Sequence, residues 1–138
     1  MAEHTDFATL ERPSSPNTYL LAPAGLCQSA EPDTLSPTFE ADPGALFQAV
    51  QDLAASKDRW TVSSTAAETM QIEAVAATKL LKFKDDVTIR VLEDKNDGHK
   101  SQLAVYSRSR VGYHDMGANR KRIEKLIEEL KARVGKTA

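Results

Sequence analysis

The spacing of apolar residues predicts an amphipathic helix in the middle of the chain. Asp42-Pro43 is a typical helix start, with Asp as the N-cap and Pro in the first turn. The apolar stripe repeats at helical spacing as far as Ala54, so the helix should end near Ser56. The stripe consists of Leu46, Phe47, Val50, Leu53 and Ala54.

A second amphipathic helix is predicted at the C-terminal end. Asp115 is its predicted N-cap, and Gly135 is expected to end it. Asn119 lies one turn before the first apolar residue of the stripe, on the same inward side. The stripe consists of Ile123, Leu126, Ile127, Leu130 and Val134.

Between the two helices, apolar and polar residues alternate with a period of two, which predicts strands with one solvated face. Asn96-Asp97-Gly98 is a favourable hairpin turn between the last two strands. The chain is therefore predicted to be an α+β two-layer sandwich, with an antiparallel sheet of four or five strands and two helices. The strand segments are 60–64, 70–76, 81–84, 87–91 and 103–110.

The N-terminal third has a different character, because all six prolines lie at or before Pro43. Proline fixes φ and lacks an N–H donor, so this region is predicted to form neither a long helix nor a central strand. We expect a disordered tail over 1–12, an extended Pro-rich arm over 13–41 that lies on the domain, and a single α+β domain over 42–135. No signal peptide and no transmembrane segment are recognised, which predicts a soluble cytoplasmic protein.

Charge and composition narrow the classes of partner. The net charge of −2 argues against a dedicated nucleic-acid binder, although residues 1–60 are acidic and residues 61–138 are basic in balance. Cys27 is the only cysteine and the three histidines are scattered, so no disulfide, metal site or cofactor is predicted. The remaining partners are an acidic small molecule, a lipid headgroup or another protein.

Residues 107–122 carry the densest polar chemistry. Arg108 and Arg110 are two residues apart on one strand face and could grip a carboxylate or phosphate in a fork. The N-terminus of the last helix, close by in the sequence, also attracts anions. The sequence thus predicts a ligand site where the last strand meets this helix. Its candidate residues are Arg108, Arg110, Tyr113, Asp115, Asn119 and Arg120.

The same residues also admit a structural interpretation. A buried Asn119 amide must find partners among strand backbone, arginine or acidic side chains. Asp86 should face Arg108 or Arg110 across the hairpin and pair with one of them. The predicted structural polar network consists of Asp85, Asp86, Ser107 and Ser109.

Several segments resemble a known family. They are KDDV at 84–87, SRSRVGY at 107–113 and DMGANRKRI at 115–123, together with Pro16-Asn17 near the start. The chain resembles, from about residue 13 to 131, the bacterial and plastid family called domain of unknown function 1499. Thr18 stands where many members have a cysteine. The family has no established activity, so the resemblance implies no substrate or cofactor.

Three hypotheses follow from the sequence. The first is a non-catalytic binding or accessory domain that uses the anion site described above. The second is a hydrolase or isomerase in which Asp86, His114 and Asp115 act as acid and base. The third is a polar staple inside an interaction module, with no ligand at all. The absence of an activated serine or cysteine at a recognisable spacing favours a non-catalytic role.

Overall fold

The computed structural model describes residues 5–78, 82–112 and 114–134. Helix α1 spans Pro43–Ser56, which confirms both predicted ends. Asp42 occupies the N-cap position, but its side chain makes no capping hydrogen bond. Its Oδ1 instead lies 3.3 Å from Nδ1 of His99 in the turn between the last two strands.

Helix α2 spans Ala118–Val134 and buries the predicted stripe through Leu130. The prediction of Asp115 as the N-cap was wrong by two positions, because Gly117 directly precedes the helix. Asp115 Oδ1 accepts a hydrogen bond of 2.8 Å from the Gly117 amide and so shapes the turn before the helix. Gly135, the predicted stop, lies outside the described residues.

The sheet has six strands in the order β2-β1-β6-β5-β4-β3, and β1 and β2 are parallel. The α+β class is confirmed, but the predicted sheet of four or five antiparallel strands was wrong. The extra strands come from the Pro-rich arm, since the prolines flank β1 and β2 rather than interrupt them. The strands are β1 Thr18–Ala22, β2 Thr34–Leu35, β3 Trp60–Ala66, β4 Gln71–Ala77, β5 Lys84–Glu93 and β6 Ser101–Ser109.

Strand β1 lies between β2 and β6, so the arm supplies an inner strand, contrary to the prediction. The predicted strand over 81–84 is not formed at 82–83, where the chain is irregular, and residue 81 lies outside the described part. The hairpin at Asn96-Asp97-Gly98 is confirmed, because β5 and β6 pair antiparallel on either side of it.

The two faces of the sheet are covered by different parts of the chain. Helices α1 and α2 pack on one face, here called the helix face, over a core that includes Ile89 and Val105. Residues before and after β1 pack on the other, here called the arm face, where Phe7 and Leu20 are fully buried. The second face is therefore only partly solvated. The tail predicted to be disordered over 1–12 is packed from residue 5, and residues 1–4 lie outside the described part.

Candidate functional site

The alternation of side chains along β6 divides the predicted site between the two faces of the sheet. Ser107 lies on the helix face and bonds to Asn119 of α2. Tyr106 packs in the arm-face cluster, and Arg108, two residues further, shares a pocket with it on that face. The arginine fork and the start of α2 are therefore not brought to one spot, as the sequence had suggested.

On the helix face, Asn119 is the centre of a buried polar network, here called the staple. Its exposed fraction is 0%, which confirms the predicted burial. Its Nδ2 donates to the Asn17 carbonyl at 2.9 Å, to Ser109 Oγ at 2.9 Å and to Asp115 Oδ2 at 2.7 Å. Its Oδ1 accepts from Ser107 Oγ at 2.6 Å. One amide side chain thus links the arm, strand β6 and helix α2.

Asn17 is the part of the staple that belongs to the arm. Its Nδ2 donates to the Gly112 carbonyl at 2.7 Å, and its own carbonyl accepts from the Ser109 amide at 3.0 Å. Ser15 Oγ donates to the Asn17 side-chain oxygen at 2.8 Å. These bonds hold the arm at the point where it enters β1. From the sequence, only the resemblance to the family had singled out Asn17.

Arg122 completes the staple, and sequence reasoning had missed it. Its Nη1 donates to Ser107 Oγ at 3.0 Å and to Asn119 Oδ1 at 2.9 Å. Its Nη2 lies 2.8 Å from Asp85 Oδ2, with side-chain exposed fractions of 12% for Arg122 and 3% for Asp85. The available signal was its spacing, because residue i+3 from a buried Asn119 lies on the same side of a helix.

Burial and charge act in opposite directions on Asp85. Desolvation raises the pKa of this carboxyl above its ordinary value, while the Arg122 guanidinium and hydrogen bonds from Arg122 and Ser109 lower it. Burial is the larger effect, so the net direction is upward. The attraction between Asp85 and Arg122 therefore offsets only part of the free-energy cost of removing the Asp85 carboxylate from water.

On the arm face, eight residues with polar side chains line a cavity of about 430 Å³, here called the arginine pocket. Thr5 of the N-terminal segment forms part of its wall and anchors that segment by donating its amide to Glu73 Oε2 at 2.9 Å. Gln71 and Thr88 also donate to the Glu73 carboxylate. The eight are Thr5, Ser63, Glu73, Asp86, Thr88, Tyr106, Arg108 and Arg110.

The two arginines of this pocket differ in their partners. Arg110 grips Asp86 with two nitrogens, since Nη2 lies 2.7 Å from Oδ1 and Nε lies 3.1 Å from both carboxylate oxygens. The predicted strand-to-strand pair is thus present, and it raises the pKa of Arg110. Arg108 stands opposite Asp86 in the strand register, yet it is exposed and makes no ion pair or hydrogen bond with any described residue.

Tyr106 lies beside Arg108 and also lines the arginine pocket. Only 5% of it is exposed, and its hydroxyl oxygen is buried near the Thr18 side chain, without a hydrogen bond of good geometry in the described part of the chain. Burial raises the pKa of Tyr106, while Arg108, Arg12 and the Thr18 side chain lower it. The ring of Tyr106 thus forms part of the pocket wall, and its hydroxyl lies near Thr18, which does not line the pocket.

The remaining predicted site residues lie elsewhere. Arg120 is exposed on α2 and pairs with Glu124 at 3.0 Å, so it does not take part in the staple. Asp115 is held by Asn119 and Gly117, His114 is exposed, and Asp86 lies on the other face in its pair with Arg110. Of the three proposed acid and base groups, His114 and Asp115 thus line one depression, while Asp86 lies apart from them on the arm face. Tyr113 lies outside the described residues.

Comparison with known proteins gives one match. The family model described as "Protein of unknown function (DUF1499)" matches residues 10–130, which is most of the chain. No curated protein and no solved structure matches the chain significantly. Among the described residues, no helix is both long and apolar enough to cross a membrane.

Proposed function

The chain belongs to the DUF1499 family of proteins of unknown function, and we propose that it is a non-catalytic domain that binds a small acidic molecule in the arginine pocket. The observation that carries the proposal is the exposed Arg108 guanidinium, which lines this pocket and forms no ion pair or hydrogen bond with a described residue. A carboxylate or phosphate group in the pocket could accept from this guanidinium. Charge-assisted hydrogen bonds of this kind are the stronger ones in proteins.

The other groups of the pocket favour a compact ligand of low charge. Glu73 and Asp86 are acidic, so a ligand with several negative charges would be repelled from all but the Arg108 side. The Thr88 hydroxyl in the wall is buried and already bonds to Glu73 and Thr5, so it is not free to bind the ligand. Arg110 is a second cation that the ligand would share with Asp86.

A cytoplasmic location, predicted from the sequence, stays a prediction.

The staple has a supporting role in this proposal. Most of its residues lie in the segments that resemble the family, and they fix β6 by its helix face. Because Arg108 lies between Ser107 and Ser109, which both bond to Asn119, its backbone is positioned from the opposite face of the sheet. The pocket arginines and the staple serines thus lie on opposite sides of the same stretch of chain.

We expect Arg108→Gln to weaken the binding of inorganic phosphate or acetate at least tenfold, because it removes the only cation of the pocket that has no partner among the described residues. The measurement is a titration of the full chain followed by amide chemical shifts of the arm-face strands. Arg120→Gln, which alters an exposed arginine paired on α2, is the matched control and should bind as the wild type does. Equal affinities for all three proteins, or no saturable shift in the wild type, would overturn the proposal.

Tyr106→Phe tests whether binding depends on Arg108 and not on the neighbouring hydroxyl. The hydroxyl that it removes is buried near Thr18 without a hydrogen bond of good geometry, so the free energy of unfolding should change by less than about 1 kcal/mol. We expect the affinity for phosphate or acetate to stay within about twofold of the wild type, because the Tyr106 ring lines the pocket and its hydroxyl lies near Thr18. Urea unfolding and the same titration test both parts. A tenfold loss of affinity in this variant would show that the hydroxyl contacts the ligand.

A further inference from the structure

Large apolar side chains are exposed at one end of the sandwich. Four such residues are exposed in the described part of the chain, and three of them line the same depression of about 650 Å³: Phe83 at 46%, Val111 at 53% and Met116 at 89% exposed. They come from the entry to β5, the exit from β6 and the turn before α2. An apolar cluster of this kind on a small protein marks a surface that binds something.

Met116 is the most exposed of the three and is held outward by the backbone. Its φ of 55° lies in the left-handed region, which side chains other than Gly, Asn and Asp adopt rarely. The turn that imposes this φ is fixed by the bond from the Gly117 amide to Asp115. The staple therefore holds a methionine in solvent, where it has no packing role.

Three exposed lysines lie on or next to this depression. Lys121 lines it, Lys82 and Lys84 flank Phe83 in the sequence, and none of the three forms an ion pair with a described residue. The two carboxylates that line the depression are engaged inside the fold, since Asp85 pairs with Arg122 and Asp115 accepts from Asn119. The lysines are thus the charges here that have no opposite charge to pair with among the described residues.

We propose that this end, here called the apolar end, docks on an anionic lipid surface. Apolar side chains that project from loops enter the headgroup region, and lysines beside them are attracted by the negative surface potential. Each lysine near such a surface contributes about fivefold to binding. The charge pattern favours a lipid surface over an apolar protein groove, because Lys121 lines the depression, Lys82 and Lys84 flank Phe83, and a negative membrane surface would attract all three.

The test is co-sedimentation of the full chain with vesicles. We expect binding to equimolar phosphatidylcholine and phosphatidylglycerol that weakens as salt is added, and little binding to phosphatidylcholine alone. Phe83→Asp with Met116→Asp should reduce binding at least tenfold. Asp tolerates the positive φ of residue 116, and both side chains are exposed, so the fold should be retained. Thermal unfolding of each variant checks this.

Two further variants make the result decisive. Leu35→Asp changes the fourth exposed apolar residue, which does not line this depression, and should leave vesicle binding unchanged. Replacing the three lysines by glutamate should abolish the preference for phosphatidylglycerol.

Four outcomes would each overturn the proposal. They are equal binding to both vesicle types, no binding by the wild type, an equal loss of binding in Leu35→Asp, and self-association through the apolar end in place of vesicle binding. Arg108→Gln should bind vesicles normally, which keeps this test separate from that of the arginine pocket.

Discussion

Arg122→Met is expected to lower the free energy of unfolding at neutral pH by about 3–5 kcal/mol. The substitution keeps an unbranched side chain of similar helix propensity but removes the charge that faces Asp85. It leaves the Asp85 carboxylate, whose side chain is 3% exposed, in the interior without its cation. The hydrogen bonds from Arg122 to Ser107 and Asn119 are lost as well. Urea unfolding at equilibrium measures the effect.

The pH dependence of this loss follows from the pKa of Asp85. Its pKa is raised in the folded protein, and Arg122 is the main group that opposes the rise, so removing Arg122 raises it further. A raised folded pKa means stability that is present below the unfolded pKa, about 3.9, and is lost as the pH rises through the folded pKa. The deficit of the variant against the wild type should therefore be smaller at pH 4 than at pH 7.

Arg110→Met is the matched control, because it breaks the pair of an arginine with Asp86, the β5 residue next to Asp85. The pair of Arg110 with Asp86 has exposed fractions of 45% and 44%, so solvent screens it and its loss should cost about 0–1 kcal/mol. Two results would contradict the assignment of the stability loss to burial of the Asp85 pair. One is an equal loss of stability in both variants, and the other is the same deficit of Arg122→Met at pH 4 and pH 7.

The two helices could be predicted closely because their signals are local. Asp42-Pro43 sets the start of α1, and the apolar stripes of both helices repeat within single segments. The N-cap of α2 was misplaced because Asp115 and Gly117 both suit a helix start, and the choice depends on a turn held by Asn119. Competition between neighbouring capping residues is decided by tertiary contacts.

The N-terminal strands could not be predicted in the same way. The apolar run of β1 is five residues long and could pack as an irregular arm or pair as a strand. The run forms a strand because the edge of β6 is available for pairing, and because bonds such as that from the Ser109 amide to the Asn17 carbonyl align it there. The burial of Phe7 likewise depends on the arm-face cluster, which forms only when the sheet has assembled. These are contacts between residues far apart in sequence, which periodicity does not report.

The division of the candidate site was contained in the sequence, although the first interpretation missed it. Ser107 has the same parity in β6 as Leu103 and Val105, which are core residues on the helix face. Arg108 has the opposite parity and must lie on the other face. Parity therefore separates the arginines from Asn119 without any structure. The arginine pocket itself needed the structure, because Thr5 of the N-terminal segment forms one of its walls.

Asn119→Ala is expected to lower the free energy of unfolding by about 2–4 kcal/mol. The methyl group leaves the Ser107 hydroxyl without its acceptor at 2.6 Å and takes away one of the two acceptors of Arg122 Nη1. The Asn17 carbonyl loses one of its donors. Because the site is fully buried, water cannot replace these bonds without opening the fold. Thermal and urea unfolding both measure the loss.

Lys121→Ala is the control on the same turn of α2. Its side chain is exposed, so the substitution should change the free energy of unfolding by less than about 0.5 kcal/mol.

The staple also predicts which part of the fold Asn119→Ala loosens, because Asn119 contacts the arm at Asn17. Hydrogen exchange of the Ser109 amide, which donates to the Asn17 carbonyl, should speed up more than that of amides in the hairpin between β4 and β5. If exchange speeds up equally in both places, Asn119 stabilises the whole domain and does not specifically hold the arm. Unchanged stability would mean that the staple does not hold the fold together.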